Sequence, residues 1–84
     1  MIISPEDGAV NSGFSGSQQP IIQNLGPGNI WIGPFNDAET LYYTGLYLPI
    51  GSVYEFPATL VEGGKSVFIY ADTADTDVRI INVG

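Results

Sequence analysis

The chain has 84 residues with nine carboxylates against two cations, Lys65 and Arg79, for a net charge of -7, and it contains neither His nor Cys. That inventory removes disulfides and the usual transition-metal ligands, and a surface of this sign repels phosphate backbones and anionic membranes, so neither nucleic acid nor membrane is an expected partner. With 44% hydrophobic residues, eleven Gly and six Pro, the composition suits short strands joined by many turns, and a domain this small buries only about 60–65% of its unfolded surface, leaving a thin core for which oligomerisation is the remaining reinforcement.

Residues 1–19 hold Ser, Gly, Pro, Asn and Gln in quantity, with apolar residues only at Met1, Ile2, Ile3, Ala9, Val10 and Phe14. No sustained period is visible, so the segment reads as an extended N-terminal arm or a loose terminus, with Ile2, Ile3 and Phe14 available to pin it. It has no basic region followed by an apolar stretch, and no later segment approaches the roughly 20 apolar residues of a membrane span, so synthesis as a soluble cytosolic protein is expected.

From Pro20 the texture changes, and residues 20–84 read as one β-sandwich domain. Ile21 to Leu25 predicts the first strand, Gly26-Pro27-Gly28-Asn29 a turn, and Asn29 to Gly33 a returning strand with Ile30 and Ile32 on one face and Trp31 on the other, together a hairpin. Pro34 to Thr40 reads as a polar loop and Leu41 to Thr44 as a short strand. Gly45 to Gly51, interrupted by Pro49, suggests a connection lying across a core, because proline cannot donate to a sheet ladder. Ser52 to Phe56 alternates, with Val53 and Glu55 on one face and Tyr54 and Phe56 on the other, and Pro57 ends it. Glu62-Gly63-Gly64-Lys65 is a turn, Ser66 to Ala71 a strand, Asp72 to Thr76 a polar loop and Asp77 to Val83 the closing strand.

Phe68, Ile69 and Tyr70 run consecutively, as do Ile80 and Ile81, so these strands are expected to be buried on both faces or to meet a partner on the second. About six short strands at a spacing near ten residues give an all-β fold, a small antiparallel β-sandwich or partly closed barrel.

Catalysis without His or Cys would need Ser or Thr activated by Lys65, or a carboxylate pair such as Asp37 and Glu39. Lys65 follows two glycines in a turn, where a solvated lysine is expected, and a domain this small has little room for a cleft between acid and base. An enzyme is not expected, and no catalytic or cofactor-binding residue is assigned. Asp72, Asp75 and Asp77 supply the oxygen ligands that hard cations prefer, but the loop lacks the Gly and distal Glu of an EF-hand. Asp and Thr also close turns on their own backbone, so a turn is the favoured reading and no metal site is assigned. Trp31, Tyr42, Tyr43 and Tyr47 are of the types most used as interface anchors or sugar-stacking platforms. With Ile2, Ile3 and Phe14 they form the candidate interface set.

The run Asn24-Leu25-Gly26-Pro27-Gly28-Asn29-Ile30-Trp31-Ile32-Gly33, the segment Gly45-x-x-Leu48-Pro49-x-Gly51-Ser52-Val53 and the strand Ser66-Val67-Phe68-Ile69-Tyr70-Ala71 resemble small β-sandwich proteins of tailed bacteriophage virions, which decorate capsids or form head-fibre and tail modules. The resemblance covers about residues 20 to 83 and rests on strand-and-turn texture. It implies a structural virion protein on the capsid surface, with the major capsid protein as partner, a homo-oligomer with a trimer favoured, and capsid stabilisation as the task. The alternative from a different class is a carbohydrate- or receptor-binding module of a phage fibre or tail.

Overall fold

A computed structural model describes residues 1–15, 18–56 and 64–81. Among the described residues, eight strands and one short helix follow one another as β1 (Ile2–Ile3), β2 (Val10–Ser15), β3 (Ile21–Gly26), β4 (Ile30–Gly33), α1 (Ala38–Thr44), β5 (Leu46–Leu48), β6 (Val53–Glu55), β7 (Ser66–Ala71) and β8 (Thr76–Ile81), with a 3-10 turn at Pro5–Asp7. They form two four-stranded antiparallel sheets, ordered β1-β8-β3-β6 and β2-β7-β4-β5, packed face to face without closing into a barrel. The chain is thus the small all-β sandwich expected from the spacing of its turns.

The core lies between the sheets and comes from the alternation of each strand. Ile22 and Val78 point inward from the first sheet, and Ile30, Ile32, Val67, Ile69 and Ala71 from the second, all effectively removed from solvent. Phe56 closes one end and meets Phe14 edge to face at 5.1 Å, an arrangement that aromatic quadrupoles favour.

The N-terminal residues are extended, and they belong to the sandwich. β1 pairs with β8 and β2 with β7, so they form one edge of each sheet. Ile3 and Phe14 are buried in the core, and Ser4 Oγ accepts the Asp75 N–H at 3.0 Å, stitching this segment to the β7–β8 turn. The boundary near residue 19 is one of composition: the same apolar core runs through both sides of it.

Three expected elements differ. Residues 21–33 do not form a hairpin, because β3 and β4 lie in opposite sheets. The fully buried Asn24 holds the connection: its side-chain amide donates to the Gly28 and Leu48 carbonyls, both at 3.0 Å, and its oxygen accepts the Gly26 N–H at 2.9 Å. Gly28 donates to Thr76 Oγ1, and a Cβ there would stand 2.6 Å from that oxygen, so the turn is sewn to the start of β8 and cannot stand free. Residues 46–48, expected as a connection across the core, form edge strand β5 paired with β4, and Pro49 lies just beyond it. Residues 41–44, expected as a strand, belong to α1. Asp37 caps this helix by accepting the Thr40 N–H at 3.1 Å. Pro57, Glu62, Gly63 and the end of the last strand at Val83 lie outside the described residues.

Candidate functional site

The outer face of the second sheet is aromatic because the residues that alternate with its core positions are. With Ile30 and Ile32 pointing inward, Trp31 points out. In the register it sits between Tyr47 of β5 and Tyr70 of β7, so three neighbouring strands carry one cross-strand ladder. Ring centroids are 5.3 Å apart for Trp31–Tyr47 and 5.9 Å for Trp31–Tyr70, with planes inclined by 43° and 38°.

Helix α1 folds over part of this face. Leu41 is its fully buried residue, and it reaches the sheet because Gly33 has no side chain: a Cβ there would stand 3.1–3.3 Å from Phe35 and Leu41. At the other end of the helix, a Cβ on Gly45 would lie 2.6 Å from the Leu41 carbonyl oxygen, so the close exit into β5 requires glycine. The docked helix lays Tyr42 on Trp31 at 4.8 Å and places Tyr43 edge-on to Tyr42 at 5.1 Å and 87°. Tyr42 also meets Tyr70 at 79°.

Between helix and sheet lies an open depression of about 380 Å³ lined by Ala38, Glu39, Tyr42, Tyr43 and Tyr70. Glu39 and Tyr43 are one helical turn apart, at i and i+4, which brings a carboxylate and an aromatic ring to the same side of the helix. At the cap, hydrogen bonds from the Thr40 side chain and backbone, followed by a weaker one from the Glu39 backbone, hold the Asp37 carboxyl below its usual 3.8.

The candidate interface residues divide by exposure. Tyr43 is 75% exposed, Tyr47 50% and Tyr42 47%, while Trp31 is half-buried beneath them. Ile2 is also exposed, but on edge strand β1 of the other sheet. Ile3 and Phe14 are corrected: at 1% and 5% exposure they belong to the core, and their side chains are inaccessible to a partner. The structure adds two residues to the set, Tyr70 and Glu39. Tyr70 was signalled by the run Phe68-Ile69-Tyr70, since one side of a strand so apolar must face something besides the core. Its cover is in part the chain's own helix.

Two of the three loop aspartates have local side-chain partners. Asp72 accepts the Asn29 N–H at 2.8 Å, the Asn29 side-chain amide and the Thr73 hydroxyl, and Asp77 pairs with Arg79 at 3.3 Å. Among the described residues no three His, Cys, Asp or Glu side chains are grouped to hold a metal ion, and no helix is long and apolar enough to cross a membrane. Comparison with protein-family models, with curated proteins and with solved structures finds no match to this chain.

Proposed function

We propose that this protein is a non-catalytic structural module that docks onto a protein lattice through the outer face of the second sheet, and that the lattice is the capsid of a tailed-phage virion. The observation that carries the docking reading is the cluster of Tyr42, Tyr43 and Tyr47 standing about half exposed or more around Trp31. Exposed aromatic side chains grouped around a half-buried tryptophan are the composition of an interaction hot spot. The virion part rests on the strand-and-turn resemblance described above. A small sandwich with a thin core gains stability from every neighbour that binds only its folded form, so the same contacts that reinforce a shell reinforce the module.

The test is co-sedimentation with capsids of the phage that encodes the chain, stripped of it beforehand. Wild-type protein is expected to pellet with them, and the double variant Tyr43→Ala/Tyr47→Ala to remain in the supernatant with an unchanged circular dichroism spectrum. Absence of wild-type binding, or equal pelleting of the variant, overturns the proposal. Light scattering of the released protein reports whether it travels as the trimer that the resemblance implies.

A further inference from the structure

Three features outside the core could carry a function: the aliphatic outer face of the first sheet, the acidic β7–β8 turn and the depression beside α1. The first presents Ile2, Val53 and Ile81 with no indication of what covers them, and in the second the Asp72 and Asp77 carboxylates are engaged with Asn29, Thr73 and Arg79. The depression has both a shape and a charge that select a ligand.

We infer that the depression lined by Glu39, Tyr42, Tyr43 and Tyr70 receives a cationic side chain, an arginine in the first instance, from a basic segment of the docking partner. The inference rests on the docking reading and names the chemistry of its anchor. Tyr42 meets both Tyr43 and Tyr70 nearly at right angles, so the rings present faces in more than one plane. A sugar ring asks for a flat platform. A compact cation is held by ring faces turned in several directions, since each offers the negative side of its quadrupole. Glu39 supplies the carboxylate that a guanidinium contacts with two N–H groups.

Charge selects the source of the cation. The chain carries -7 and has two cations. Its single arginine, Arg79, lies in β8 of the opposite sheet and is paired with Asp77. A second copy would therefore bring repulsion and no free guanidinium, whereas a basic segment of a different protein meets a complementary field.

The test titrates isotope-labelled full-length protein with N-acetyl-arginine methylamide, N-acetyl-glutamate methylamide and maltose, following the Glu39 amide and the ring resonances of Tyr42, Tyr43 and Tyr70. Arginine amide is expected to shift these resonances in a saturable, salt-sensitive way while the acidic and sugar probes leave them in place. Glu39→Gln should weaken the arginine response about threefold and Tyr43→Ala about fivefold, the size of an exposed ion pair and of one cation–π contact. Both positions are exposed, so folding should persist, and an unchanged amide spectrum elsewhere checks it. A response to maltose alone makes the site a glycan platform and overturns the inference, as does no response to arginine amide, or one that Glu39→Gln leaves intact. If Glu39→Gln binds capsids as wild type does while Tyr43→Ala/Tyr47→Ala does not, the cation anchor fails and the docking reading stands.

Discussion

Asn24 shows how one polar side chain can set the path of a chain. It is fully buried between the sheets, yet all its hydrogen-bonding directions end on backbone groups of Gly26, Gly28 and Leu48. Asn24→Ala would strand one N–H and two carbonyls in the interior and should cost about 2–3 kcal/mol, the scale of leaving buried polar groups unpaired. Urea denaturation measures this, and a loss under about 0.5 kcal/mol, a typical surface value, would mean water replaces the side chain. Asp37 makes a second prediction at this scale. Its folded pKa lies below its unfolded one, so its carboxylate stabilises α1 above the unfolded value, and that contribution disappears as pH falls through the folded value. Wild-type protein should therefore lose stability below about pH 4 by more than Asp37→Asn does, as compared by thermal melting at pH 6 and pH 3. Equal losses in the two proteins would remove the cap from the account.

At the scale of elements, strands were more legible than connections. β3, β4, β7 and β8 announce themselves as short apolar, β-branched runs between turn residues, and the inward placing of Ile30 and Ile32 against the outward Trp31 follows from period two alone. Helix α1 did not announce itself because it is two turns long and ends in Tyr42, Tyr43 and Thr44, residues that favour strands. Asp37 followed by Ala, Glu and Thr was the readable start signal. The supposed hairpin at Gly26-Pro27-Gly28-Asn29 failed because turn chemistry fixes a reversal without saying which sheet receives the next strand. That choice is made by Asn24 and Thr76, the latter 48 residues from Gly28. The helix is also where an element can be tested. Leu41→Ala should cost about 2–4 kcal/mol, as for other buried leucines, and release α1 from Gly33, with Trp31 fluorescence shifting to longer wavelength as Tyr42 leaves it. An unshifted spectrum would place Tyr42 on Trp31 without help from Leu41.

For the whole molecule, the sandwich hides its aliphatic residues between the sheets and leaves an aromatic cluster outside. Four of the seven residues singled out from sequence, Trp31, Tyr42, Tyr43 and Tyr47, meet there although α1 and two strands supply them. Exposure could not be read for Ile3 and Phe14, because an arm without periodicity gives no inward face until its pairing with β8 and β7 is known. Trp31 itself is a poor probe of docking. It touches Tyr42, Tyr47 and Tyr70, so Trp31→Ala should lower stability by about 1–3 kcal/mol through lost ring contacts as well as weaken assembly. Tyr43 and Tyr47 separate the two effects. In both single alanine variants the melting temperature is expected to stay within about 3 °C of wild type, and a larger fall would make them structural residues.

The account stands or falls on which face is covered when the protein is assembled. Hydroxyl-radical footprinting of the assembled form against the free protein reads this directly. Tyr43, Tyr47 and Trp31 are expected to become protected while Val53 and Ile81, exposed on the opposite sheet, keep their reactivity. Protection of Val53 and Ile81 with the tyrosines left reactive would contradict it.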